Sequence, residues 1–139
     1  MHRAAMPSSL RSSLSTMAPV SIIGAEELLT SQVVDCDGSR IGGLRDLMVD
    51  LRMGRIAYGL VALDRAPRLK RRLIAVPWNA MHVDGDGNLR VNAQRYWVER
   101  GPSIAAGLRA SLLDHEWAEF IHSYFGARPY WERNVQQHA

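Results

Sequence analysis

Residues 34–63 read VDCDGSRIGGLRDLMVDLRMGRIAYGLVAL, and this stretch decides the fold. Short runs of apolar residues alternate there with turn signals, notably Asp37-Gly38 and Met53-Gly54. The same spacing continues as far as Asn92, which gives about six short strands in close succession. Closely spaced short strands favour a small barrel or sandwich over strands that alternate with helices, and glycines that allow sharp curvature favour the barrel. The sequence therefore predicts a mainly β fold, a small antiparallel β-barrel that is closed or partly open.

The chain has 139 residues, which suits a single domain with tails. Cys36 is its only cysteine, so no internal disulfide can form and we expect a reducing compartment. Composition and periodicity divide the chain into four predicted segments: a disordered tail at 1–20, a barrel domain at 21–98, a linker at 99–113, and a helix with an aromatic tail at 114–139.

The first twenty residues are rich in serine, alanine and arginine and contain no acid. This composition resembles an organelle transit peptide, so targeting to an organelle is one interpretation. We favour two others, which are a tail too polar to order itself and a translation start at Met17. Together with the single cysteine, this makes the cytoplasm the expected location.

Positive charge is concentrated in the segment 65–72, which reads RAPRLKRR. The formal net charge of the whole chain is +3. A local basic patch can attract a phosphate backbone or an anionic membrane surface, although it can also be a solvated loop between strands. We call this segment the basic loop, and its candidate interaction residues are Arg65, Arg68, Lys70, Arg71 and Arg72.

A change of period after Asp114 predicts a C-terminal amphipathic helix. Asp114 is a suitable N-cap, and Gly126 is a suitable stop signal. Apolar residues recur at helical spacing on one face, which we expect to pack on the barrel or on a second copy. The aromatic residues of this helix and its tail are candidate interaction residues: Trp117, Phe120, Tyr124, Tyr130 and Trp131.

His115, Glu119 and His122 share a second face of that helix, because four and then three residues separate them. Two imidazoles and a carboxylate could hold a divalent metal ion. This face is opposite the aromatic one, so we expect it to face solvent, where a metal site lacks supporting contacts. These residues are weak metal candidates, and the sequence predicts neither a bound metal nor a cofactor.

Two aspartate-rich turns begin like calcium loops but do not continue as such. In the second turn, Leu89 stands where the loop requires glycine and Arg95 where it requires glutamate. The segment 84–88 is therefore predicted to be a hairpin turn. No nucleophile-elbow or phosphate-loop motif is present, so no residue is predicted to be catalytic.

The order of these elements resembles the PRC-barrel domain, over roughly residues 24–98. The resemblance rests on an Asp-Gly turn, an Ile-Gly step, an aspartate that closes a strand, a glycine turn, a tyrosine in the next strand and a Val-Pro-Trp end: Asp37, Gly38, Ile41, Gly42, Asp50, Gly54, Tyr58, Val76, Pro77 and Trp78. The domain is shared by the cytoplasmic part of photosynthetic reaction-centre H subunits and the C-terminal part of ribosome-maturation factors. The resemblance implies a stand-alone barrel of the bacterial, cytoplasmic type that mediates contacts and has no chemistry of its own.

The expected function is that of a non-enzymatic interaction or scaffold module that forms homo-oligomers or docks on a larger assembly. Alternatives are an RNA- or ribosome-associated factor that uses the basic loop, and a peripheral contact with a membrane or a photosynthetic complex. A metal-dependent enzyme is a further, weaker alternative. The identity of a protein partner does not follow from the sequence.

Overall fold

A computed structural model describes residues 22–64, 73–104 and 114–132. Its elements, in chain order, are α1 (Ala25–Leu28), β1 (Gln32–Val34), β2 (Arg40–Asp50), β3 (Arg55–Leu63), β4 (Leu73–Pro77), a 3₁₀ turn (Trp78–Ala80), β5 (Met81–Val83), β6 (Leu89–Val91), α2 (Arg95–Glu99), β7 (Ser103–Ile104) and α3 (His115–Tyr124). The predicted tail at 1–20 and the five candidate residues of the basic loop lie outside the described residues.

The strands form one sheet in the order β5-β6-β1-β2-β3-β4-β7, which is not closed within the described ranges. The prediction of a mainly β, partly open barrel with a C-terminal helix is confirmed. Two details differ, because the sheet has seven strands and is mixed. β1 and β6 run parallel, with Val33 opposite Leu89, whereas the other neighbours are antiparallel.

The sheet is strongly curled. The 3₁₀ turn alone joins β4 to β5, although these strands lie near opposite ends of the sheet. Bulges interrupt the pairing of β2 with β3, between Leu44 and Asp46 and between Met48 and Val49, and bulges bend a strand. Gly42 makes a close approach possible, since a Cβ there would collide with the carbonyl oxygen of Ala62.

The core lies inside this curl and is closed by α3. Leu60, Ile74 and Leu89 come from three different strands and are completely buried. Ile121 of α3 is also completely buried, and Phe125 just after the helix is 6% exposed. Burial of such side chains is the main favourable term in folding, so α3 is part of the domain core.

Residues beyond the predicted barrel boundary at 98 also contribute to the sheet. β7 lies within the predicted linker 99–113 and pairs with β4, with Ile104 opposite Leu73. The short helix α2 precedes it and buries Val98. Neither element has enough residues to show a period in the sequence, which is why the sequence does not predict them.

The two aspartate-rich segments form hairpin turns, as predicted, and they share one hydrogen-bond pattern. Asp35 Oδ1 accepts from the backbone nitrogens of Asp37 and Ser39, at 2.9 and 2.8 Å. Asp84 Oδ1 accepts in the same way from positions 86 and 88, at 3.0 and 2.9 Å. Both turns place their glycine at positive φ, 89° at Gly38 and 82° at position 87.

The C-terminal helix begins and ends where the sequence predicts, but the face that it buries matches the predicted face only in part. Asp114 caps it by accepting from the backbone nitrogen of Glu116 at 3.0 Å, and Gly126 adopts a φ of +65° after it. Its buried residues are Ala118, Ile121 and His122. The expectation that His122 faces solvent is therefore wrong.

Candidate interaction site

An exposed group of aromatic side chains lies where α2 meets α3. The rings of Trp97 and Tyr124 stack, with centroids 4.5 Å apart and planes 10° apart. Trp97 Nε1 donates to the backbone oxygen of Tyr124 at 2.9 Å, and the Tyr124 hydroxyl donates to the backbone oxygen of Trp97. This reciprocal pair fixes both rings in place.

The stacked pair is flanked by exposed aromatic rings. Phe120 precedes Tyr124 by one turn of α3 and is 56% exposed, while Trp97 is 40% exposed. Tyr96 is 53% exposed, and the Arg100 guanidinium lies 5.7 Å from the centre of its ring. We call Tyr96, Trp97, Phe120 and Tyr124 the aromatic face.

Three of the five aromatic residues predicted for interaction pack largely within the domain. Trp117 contacts the Tyr58 ring edge-to-face at 6.1 Å, and Tyr130 contacts Trp131 at 5.1 Å. All three are partly buried against the core, and Tyr124 of the aromatic face is partly buried as well. Phe120 is the most exposed of the predicted set. Trp97 joins it, although no sequence pattern predicts this, because α2 is too short to show a helical period.

A cleft of about 590 Å³ lies on another side of the domain, between the β2–β3 hairpin, the start of α3 and the tail after it. The residues that line this cleft are Met48, Val49, Asp50, Leu51, Arg52, Ala57, Tyr58, Asp114, His115, Ala118, Tyr130 and Trp131. The lining is mainly apolar or aromatic, with polar groups that converge from three elements.

A short hydrogen bond joins two walls of the cleft. The Tyr130 hydroxyl donates to Asp50 Oδ2 at 2.6 Å. This bond, with bonds from the backbone nitrogens of Met53 and Arg52, lowers the pKa of Asp50. Burial, followed by the bond to Asp50, raises the pKa of Tyr130. The tail is therefore held to the hairpin by an ionised carboxylate and a protonated hydroxyl.

Two polar groups are buried beside the cleft without a hydrogen-bond partner among the described residues, Tyr58 Oη and His122 Nε2. Tyr58 is 2% exposed and His122 is 1% exposed, and their ring centroids are 5.4 Å apart. Burial raises the pKa of Tyr58 to about 12 and lowers the pKa of His122.

The three weak metal candidates do not come together. His115 Nε2 lies 3.8 Å from Glu119 Oε1 on the exposed surface of α3, whereas His122 points into the core. His122 Nδ1 is 2.8 Å from the backbone oxygen of Ala118. Among the residues the structure describes, no group of three histidine, cysteine or acidic side chains could hold a metal ion.

The residues behind the family resemblance have structural positions that explain them. Gly38 and Gly54 adopt positive φ in the turns at either end of β2, where glycine is favoured. Asp50 ends β2, and Ile41 and Tyr58 are buried in the core. Pro77 ends β4, and Trp78 begins the 3₁₀ turn.

The family is shown by comparison with known protein families. The model of the PRC-barrel domain matches residues 21–94, which is more than half of the chain. This chain therefore belongs to the PRC-barrel family. No match was found among curated proteins. In the part of the chain that the structure describes, no helix is long and apolar enough to cross a membrane.

Proposed function

We propose that this protein is a non-enzymatic interaction module that self-associates through the aromatic face. The observation that carries the proposal is the exposure of Phe120 beside the rigid Trp97–Tyr124 pair. Protein interfaces are enriched in such aromatic residues, and rings that are already fixed lose little entropy when they bind.

A second copy is the partner that the charges around this face favour. Glu116 lies one turn before Phe120 on α3, and Arg100 lies over the Tyr96 ring on α2. An interface with two-fold symmetry uses the same patch on both copies, so it must be complementary to itself. Two such faces in antiparallel arrangement bring the acid of one copy towards the base of the other.

The predictions for the basic loop remain predictions, because its residues lie outside the described ranges. RNA or ribosome binding, and contact with an anionic membrane or a photosynthetic complex, would both use that loop. Docking of the aromatic face on a larger assembly is the alternative to self-association.

Substitution of Phe120 by serine tests the proposal. We expect the wild type to dimerise in sedimentation velocity experiments over a range of concentrations. F120S should weaken dimerisation by at least about tenfold, because it removes a central apolar contact. Val83→Ser is the matched control, since Val83 is 46% exposed on the edge strand β5. Trp117 is less suitable, because its ring packs against Tyr58.

A charge exchange distinguishes a second copy from another partner. Glu116→Arg alone should weaken dimerisation, and the double variant with Arg100→Glu should restore it. A wild type that stays monomeric at every concentration would overturn self-association, and so would an F120S variant that dimerises like the wild type.

A further inference from the structure

The cleft beside the β2–β3 hairpin has an apolar and exposed rim. Val49 and Leu51 line it and are 53% and 88% exposed. Asp50 Oδ1 accepts from the backbone nitrogens of Arg52 and Met53, at 2.9 and 3.1 Å, and thereby fixes the turn that contains Leu51. An exposed apolar rim around a concave site indicates a surface that a ligand covers.

The two carboxylates of the lining are hydrogen-bonded within the protein. Asp50 accepts the Tyr130 hydroxyl and two backbone nitrogens, and Asp114 caps α3. Arg52 favours the ionised form of Asp50. Because donors of the protein already engage both carboxylates, neither is free to bind a cation, and this lining suits a neutral ligand.

One buried polar atom of the residues that line the cleft lacks a partner among the described residues, the hydroxyl oxygen of Tyr58. This side chain comes from β3, lines the cleft and is almost completely buried. Its Oη has no hydrogen-bond partner among the described residues. A buried hydroxyl without a partner is unfavourable, and a ligand that brings a hydrogen-bonding group removes that cost.

We propose that the cleft binds a neutral small molecule that consists of an aromatic ring with a hydroxyl group. The ring lies against the apolar wall and the rings of Tyr130 and Trp131, which already form an edge-to-face pair. The ligand hydroxyl pairs with Tyr58 Oη, and it can do so as donor or acceptor. The volume of about 590 Å³ is sufficient for such a ligand.

A pair of fluorinated probes tests this proposal on the full chain. 4-Fluorophenol and fluorobenzene differ only in the hydroxyl, and ¹⁹F NMR line widths report the binding of each. We expect 4-fluorophenol to bind at least about tenfold more tightly, because it alone gives Tyr58 a partner. Equal affinity of the two probes, or no binding of either, would overturn the proposal.

Tyr58→Phe removes the hydroxyl and should abolish the preference for 4-fluorophenol. Tyr96→Phe is the matched control, because Tyr96 is exposed on the aromatic face, and it should keep the wild-type preference. Unchanged discrimination in Tyr58→Phe would contradict the assignment. If that variant does not fold, the comparison of the two probes on the wild type decides alone.

The ring could belong to a free molecule or to a tyrosine of another protein, and N-acetyl-tyrosinamide separates these sources. If N-acetyl-tyrosinamide binds more weakly than 4-fluorophenol, the result supports a free small molecule as the ligand. If it binds more tightly, the result overturns a free small molecule. This site is independent of the aromatic face, so F120S should bind 4-fluorophenol like the wild type. Failure of either proposal therefore leaves the other testable.

Discussion

The surroundings of His122 accommodate this side chain in its neutral form. Nδ1 must donate to the backbone oxygen of Ala118, since that oxygen can only accept. Nε2 is buried and lacks a partner among the described residues. The rings of Tyr58, Tyr130 and Trp131 lie 5.4, 5.9 and 5.0 Å from the imidazole. Protonation would place a charge in a site built mainly of aromatic carbon.

This burial predicts a pH dependence of stability. Desolvation lowers the pKa of His122 in the folded protein below its ordinary value of 6.5. Between pH 6.5 and the lower pKa of the folded state, the unfolded chain binds a proton that the folded protein does not. The free energy of unfolding therefore decreases as the pH is lowered through this range. Urea denaturation at pH 7.5 and at about pH 5.5, above the range where most carboxylates titrate, measures the loss.

Two variants assign that loss to one side chain. His122→Gln should reduce the difference between the two pH values, because it removes the titrating group. His115→Ala should retain the wild-type difference, since His115 is exposed on the same helix. A His122→Gln variant with the full wild-type difference would show that another group is responsible.

At the scale of elements, the turn between β1 and β2 caps a helix, which the similar turn at 84–88 does not do. Asp35 Oδ2 accepts from the backbone nitrogen of Arg95 at 3.1 Å, and these residues are 60 positions apart in sequence. The residue at the N-cap of α2, Gln94, forms no side-chain cap. A carboxylate from a distant turn thus supplies the acceptor that the first turn of α2 requires.

Removal of that carboxylate should destabilise the domain strongly. Asp35→Ala leaves three backbone nitrogens without their acceptor, and we expect a loss of about 2–3 kcal/mol in the free energy of unfolding. Asp37→Ala is the control within the same turn, and as an exposed substitution it should change stability by less than about 0.5 kcal/mol. Equal losses in urea titrations of the two variants would contradict this assignment.

The whole molecule extends beyond the part that matches its family. The match ends at residue 94, whereas β7 adds a strand and α3 closes the core. Ile121 and Phe125 are buried against strands of the sheet. The C-terminal region is therefore part of the folding unit.

A chain that ends at residue 113 tests this view. It lacks Ile121 and Phe125, whose burial contributes about 1.5–3 kcal/mol each. That loss is a large part of the stability of a typical domain. We expect the melting temperature to fall by more than about 10 °C, or the cooperative transition to disappear, in circular dichroism. A truncated chain that melts within a few degrees of the full chain would contradict the prediction.

Local signals in the sequence were sufficient for most of the sheet. The Asp-Gly and Gly turns fix where strands end, and Gly38 and Gly54 indeed adopt positive φ. The parallel pairing of β1 with β6 could not be predicted, because strand direction depends on the path of the whole chain. The face of α3 was misjudged for a related reason. Helical spacing placed Phe120 and Ile121 on one face that packs on the barrel or on a second copy. Ile121 is indeed buried, but Ala118 and His122 are buried beside it, whereas Phe120 is 56% exposed.

The candidate sites were only partly visible in the sequence. Phe120 and Tyr124 follow from helical spacing, but Trp97 joins them through a contact between distant segments. Likewise, Asp50 and Tyr130 are 80 positions apart, and no local pattern connects them. Sequence patterns describe neighbours along the chain, whereas these sites are defined by neighbours across the fold.

The parallel pair also fixes an order of events during synthesis. β1 leaves the ribosome early, but its neighbour β6 and the nitrogen of Arg95 that binds Asp35 come much later. Until then β1 can pair only with β2. The nascent chain therefore carries an unfinished sheet edge until β6 has been made, and such an edge can pair with other chains. Closure by β6 and α2 ends this exposure.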